Sequence, residues 1–243
     1  MILSSLVQII GTAGLLATTP VALPVQCRIT KAPIINIRPV TKKIDYDLSK
    51  TSAQLNQLQS NTISPYGLGV DQTTGGLRHD QPTIKTTMTF NVITNQQSQF
   101  TCLSYNTINV DIKLKPKIYI AKEFNEGRCA REVVEHERKH VYVDRKIMNK
   151  YTKLMGKAVQ KAVNDAGVIG PFASNRTENF QDKMAANIKS ALSSVELSMQ
   201  NEMNREQQQI DSLEEYERVS KHCKNASKRV QQAREEALKN QRK

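Results

Sequence analysis

Glu135-His136-Glu137-Arg138-Lys139-His140 carries the pattern His-Glu-x-x-His inside a run whose apolar residues recur at helical spacing. Val133, Val134, Val141, Ile147, Tyr151, Leu154 and Ala158 form the stripe that a core-facing helix presents. Residues four apart on a helix stand one turn above each other, so His136 and His140 aim two imidazoles at one point. Glu137 is rotated by about 100° from His136, where a carboxylate can reach the water that completes a metal's coordination. Only 4 histidines occur in the chain, which weighs against an accidental match. The same stretch also fits an amphipathic helix whose imidazoles are held by core hydrogen bonds, because a buried unpaired polar group costs about 1–3 kcal/mol.

Upstream of this helix the period is two. Thr83 to Thr94 alternates through Ile84, Thr86, Met88, Phe90 and Val92, Asn95 to Ser98 turns, and Phe100 to Tyr105 returns. Ile108 to Leu114, then Ile118 and Ile120, continue the alternation. Ala32 to Leu48 reads as edge strands broken by Pro33 and Pro39, and Ser49 to Ser52 caps a short helix. Asn61 to Asp80, with its glycines and Pro65, reads as a mobile loop, and His79 at its end as a surface residue. Downstream, Gly167, Gly170 and Pro171 end the first helix. Ser174 or Thr177 starts another, whose stripe from Ile188 to Ala237 runs to the C-terminus at a spacing near 3.5. The expected fold is α+β, a small antiparallel β-sheet followed by two long helices that carry the histidine site. Residues 1–26 read as a signal peptide or N-terminal anchor and 27–122 as a β-rich region with one short helix. Residues 123–223 read as a helical region continuous with the sheet, and 224–243 as a polar C-terminal helix or tail.

Composition narrows the class. At 243 residues the chain is long enough for a real core, but 38% hydrophobic and 5% aromatic content implies that part of it is solvated helix. The net charge of +12 is scattered, with no basic stretch interleaved with aromatics, so no specific nucleic-acid partner is expected. Met1 to Ala22 is apolar and resembles the hydrophobic segment of an export signal without a basic start, leaving cleavage, anchoring or transient membrane association open. Cys27, Cys102, Cys129 and Cys223 form an even set with no Cys-x-x-Cys, which suggests two disulfides in an oxidising compartment. Spacing alone allows any of the pairings.

A catalytic zinc site needs three protein ligands and one open position. Asp144 continues the face of His136 and His140, but three groups in line on one helix cannot close a tetrahedron. The third ligand must come from elsewhere in the fold, and His222 is the only other helical histidine. Glu135 and Asp144 remain candidates for accepting the imidazole N–H groups, or for solvated helix charges.

The chain resembles the bacterial predicted secreted zinc-dependent proteases, a zincin-like family carried as a domain of unknown function. The resemblance rests on the histidine motif, on Tyr216-Glu217-Arg218-Val219-Ser220-Lys221-His222-Cys223, on Tyr46 to Leu55, and on Cys102 before a β-branched strand. Glu217, Cys223, Lys139 and Lys50 depart from the family's usual residues. The resemblance implies a zinc held by His136, His140 and His222. If His222 meets the metal, a Cys129–Cys223 bridge becomes feasible, since Cys129 lies about 10 Å up the helix from His136; Cys27 would then pair with Cys102.

The function expected is an exported zinc metallohydrolase, a peptidase with one Zn2+ per chain and Glu137 as general base, acting on peptide or protein substrates of the cell envelope. Tyr216 is a candidate for stabilising the oxyanion, or else a core tyrosine. The location expected is periplasmic or secreted. The alternative is a non-catalytic envelope binding or assembly protein with a structural or vestigial metal site.

Overall fold

The computed structural model describes residues 27–28, 31–58, 62–65 and 73–241. The expected leader, 1–26, lies outside the described residues. The fold is α+β.

Strand β5 (Phe100–Leu114) is the axis of the larger sheet, with β1 (Ile34–Thr41) parallel on one side and β4 (Thr83–Asn95) antiparallel on the other. The β4–β5 hairpin turns where Asn95 Oδ1 accepts the backbone N–H groups of Gln97 and Ser98, the local use that gives asparagine its turn preference. Thr89 pairs with Thr107 and Phe90 with Tyr105, so Asn106 is an extra residue. That bulge moves the inward set from Leu103 and Tyr105 to Ile108, Val110 and Ile112, all of them buried. The outward set is polar: Asn36 donates to Asn109 and Arg38 pairs with Asp111.

A smaller sheet holds β2 (Asp45–Asp47), β6 (Lys117–Ile120) and β3 (Gly76–Arg78), with β2 parallel and β3 antiparallel to the central β6. The capped turn expected at Ser49 to Ser52 is α1 (Ser52–Leu55), with Thr51 and Gln54 in a reciprocal capping box. A short turn accounts for the antiparallel β4–β5 pair, whereas β3 meets β6 only after the chain has passed through that hairpin, and β1 and β2 reach their partners in parallel across long crossings. Strand β3 lies inside the stretch read above as loop; three residues among glycines carry too little alternation to announce a strand.

Helix α2 (Gly127–Ala166) buries residues three and four apart from Cys129 to Val163 and ends at Gly167, whose φ of 54° suits glycine. Beyond it, β7 (Ile169–Ala173) returns to pair with the start of β5, where the sequence signals had indicated only a break. Helix α3 (Thr177–Ile210) then runs antiparallel to α2, bringing Asn187 to Ala162, Glu202 to Lys150 and Gln207 to His140. The stripe read as one long helix is in fact divided, since α4 (Leu213–Ser220) and α5 (Lys224–Gln241) follow separate breaks.

Two cores result. The larger lies between the main sheet and the α2–α3 hairpin, around Ile108, Met148, Met155, Ile188 and Met203. The smaller joins the second sheet to the first half of α2 through Leu55, Ile118, Phe124, Val133 and Val141. Disulfides Cys27–Cys102 and Cys129–Cys223 tie the first described residue to β5 and the start of α2 to the turn after α4. Both fit an oxidising compartment. Among the described residues no helix is long and apolar enough to cross a membrane.

Candidate metal centre

His136 and His140 sit on the buried face of α2, one turn apart, with ring planes 87° to each other. The third group is Asp211. Helix α3 ends there because the backbone leaves helical geometry, and Ser212 starts α4 by accepting the N–H of Glu215 on its side chain. The break turns the Asp211 carboxylate toward α2. His136 Nε2 and His140 Nε2 are 3.3 Å apart, and Asp211 Oδ1 is 3.1 Å from the first and 3.2 Å from the second. A tetrahedral ion with ligand bonds of about 2.0–2.1 Å separates its donors by about 3.3 Å, so this triangle has the right size to hold one. His136, His140 and Asp211 are all buried.

The surrounding hydrogen bonds decide which ring nitrogens face the triangle. Gln207 Nε2 donates to the His140 carbonyl at 3.0 Å and to Asp144 Oδ1 at 2.7 Å, which leaves Gln207 Oε1 to accept from His140 Nδ1. Glu215 Oε1 lies 3.3 Å from His136 Nδ1 and is itself held by Lys139 and Arg218. Burial raises the Glu215 pKa, but its hydrogen bonds from Arg218 and Lys139 outweigh that and bring it to about 2. With an acceptor on each Nδ1–H, both Nε2 lone pairs point at each other and at a carboxylate oxygen. Three acceptors converging in a buried place require a cation or extra protons between them. Without a metal the extra proton belongs on an imidazole: burial lowers the His136 pKa, but Asp211 and Glu137 outweigh it and raise it. Although burial raises the Asp211 pKa, hydrogen bonds from His136 and His140 hold that carboxyl well below its ordinary range.

Glu137 is buried beside the triangle, and burial pushes its carboxyl up against the opposing influence of His140 and His136. The backbone N–H of Arg78 donates to it. Strand β3 comes this close because residue 76 is glycine; a Cβ there would stand 2.7 Å from Glu137 Oε1 and 2.6 Å from Val133 Cγ1. Arg78 also reaches Asp144 at 3.4 Å, so a buried chain of polar groups runs from β3 through Asp144 and Gln207 to His140.

The structure brings together His136, Glu137 and His140, but not His222 or Glu135. His222 is not beside the two histidines: α4 carries the chain about 12 Å past Asp211, and His222 Nε2 lies 3.9 Å from Glu132 on the rim. Cys129 and Cys223 are bridged without it. Glu135 is exposed and does not support an imidazole. Asp144 acts one step further out, through Gln207, because its place on α2 is one turn beyond His140. Tyr216 packs edge-on against His136, ring centroids 5.8 Å apart, and lines a cleft of about 360 Å³ with Glu137, Phe124 and Val133. Asp211, Gln207, Glu215 and Arg78 were not foreseen. The signal for Asp211 was present as Ser212-x-x-Glu215, an N-cap pattern that places a helix break immediately after it.

The chain matches no family model, no curated protein and no solved structure.

Proposed function

We propose that the protein is an exported zinc metallohydrolase, most simply a peptidase, with His136, His140 and Asp211 as ligands and Glu137 as general base. The observation that carries this reading is the triangle of His136 Nε2, His140 Nε2 and Asp211 Oδ1, with edges of 3.1–3.3 Å. Two nitrogens and one carboxylate oxygen suit zinc with one position left open. A zinc ion bound there would supply Lewis acidity, acidifying a water and polarising a carbonyl oxygen.

The chain's own residues supply the remainder. Gln207 and Glu215 hold both rings with Nδ1 protonated. Glu137, desolvated against β3, has a carboxylate oxygen able to take a proton and return it to a leaving amine. Tyr216 stands in the cleft wall against His136, which supports it as a donor to the substrate's oxyanion. The resemblance to secreted zinc-dependent proteases agrees with this set except at the third ligand. Two disulfides suit a periplasmic or secreted location.

The test is zinc stoichiometry and peptide hydrolysis by the wild-type chain beside three variants. Glu137→Gln keeps one zinc and loses turnover; Asp211→Ala loses zinc; His222→Ala keeps both. Zinc retained by Asp211→Ala and lost by His222→Ala would refute the ligand set. Unchanged function in Glu137→Gln would establish the rival, an envelope binding protein with a structural metal.

A further inference from the structure

The cleft beside His136 and Glu137 has a chemistry of its own. Its walls are Phe124 from the turn before α2, Val133 from α2, and Tyr216 and Val219 from α4, closed by the bridged sulfur of Cys223. Thr74, Ser220 and Ser227 add uncharged hydroxyls. Apart from His136 and Glu137, which belong to the centre, no side chain charged near neutral pH lines it among the described residues.

Glycines fix its shape. A Cβ on Gly75 would stand 2.7 Å from Phe124 Cδ1, and one on Gly76 would stand 2.6 Å from Val133 Cγ1, so the absent side chains let the backbone close directly on both walls. The Cys129–Cys223 bridge pins the opposite wall to α2. The cleft is therefore built rather than left over from loose packing. Its volume of about 360 Å³ lies in the range of ligand pockets.

We propose that this cleft receives a large, uncharged, apolar side chain of the substrate, so that the peptide cut is one with such a residue next to the scissile bond. As a statement about substrate the inference rests on the hydrolase reading; as a statement about binding it rests on the walls alone. A charged side chain would lose its water with no partner to replace it, whereas leucine or phenylalanine would gain apolar cover. The Glu137 carboxylate in the lining places the bound residue beside the group that would move the proton.

The experiment is methyl NMR of the full chain with labelled valines, zinc-free and zinc-loaded. The probes are the N-acetyl amides of leucine, phenylalanine, lysine and glutamate. Leucine and phenylalanine probes are expected to shift the Val133 and Val219 methyls saturably and to bind at least about tenfold tighter than the charged pair. Val219→Glu, in the wall, and Ser220→Glu, on the exposed rim, are each expected to weaken the leucine probe about tenfold and to raise the lysine probe to parity. The rim variant serves if the wall variant does not fold. Equal binding of charged and apolar probes, or methyl shifts confined to other valines, would overturn the proposal. A quenched-peptide library is digested in parallel. Cleavage beside charged residues would also overturn it, and apolar binding without any cleavage would leave the pocket standing while removing the hydrolase reading.

Discussion

Gln207→Leu separates the support of the metal centre from the centre itself. The side chain is buried and makes three hydrogen bonds, one from His140 Nδ1 and one each to the His140 carbonyl and Asp144. Leucine fills nearly the same space, so the loss is chiefly polar. It strands the His140 Nδ1–H and an Asp144 oxygen, at about 1–3 kcal/mol each, or about 2–6 kcal/mol together. Against a typical total stability of about 5–15 kcal/mol that is a large shift in a urea midpoint. The effect on the site has a different size. A hydrogen bond of about 1 kcal/mol biases the His140 tautomer about fivefold, and loss of a partner outside the ligands typically weakens metal affinity by about 10–100-fold. Competition with a chromophoric chelator reads the affinity, urea unfolding reads the stability, and ring-nitrogen NMR of the metal-free chain reads the tautomer. Zinc affinity within about twofold of wild type, with His140 still protonated at Nδ1, would show that Gln207 does not orient the ring.

Gly76→Ala places a methyl 2.7 Å from Glu137 Oε1; it should cost about 1–3 kcal/mol by overpacking and abolish hydrolysis while the ligands keep their zinc, and normal turnover would argue that Glu137 is not the base. Replacing Cys129 and Cys223 by serine opens a bridge between residues 94 apart, worth about 4–5 kcal/mol by chain entropy; a loss under about 1 kcal/mol in urea would mean that the helices hold each other by packing alone. Asp144 gives a pH signature: burial raises its pKa from 3.8 to about 6 against the pull of Arg78 and Gln207. Between those values the folded chain keeps a proton that the unfolded chain has released, so stability should fall as pH rises, by roughly 3 kcal/mol in all by pH 7. Asp144→Asn should flatten that slope, and an unchanged urea profile from pH 4 to 7 would show that another group sets it.

The parts of the fold that were legible in the sequence are those with a long period. The α2 stripe, the alternation of β4 and β5, and the capped turn at Thr51 all appear where residue spacing places them. Strands β3 and β7 did not, because each is short and contains glycine, and its pairing is decided by tertiary contacts rather than by alternation. The same limit governed the site. His136, Glu137 and His140 share one helix, so their relation is local and periodic. Asp211 depends on a helix ending at one residue, and an even apolar stripe from Ile188 to Ala237 hides that break. A preference for histidine as the third ligand drew attention to His222, eight residues' worth of helix too far along. The nearby capping pattern at Ser212 held the better information.

The two disulfides join neighbours in order of appearance, Cys27 with Cys102 and Cys129 with Cys223. Neither loop encloses or crosses the other. A chain delivered N-terminus first into an oxidising space thus meets each correct partner before the next cysteine arrives, and sequential oxidation reaches the native connectivity without reshuffling. Cys223 follows Asp211 in the chain, so the second bond can close only after the residue that completes the triangle with the two histidines has entered the same space.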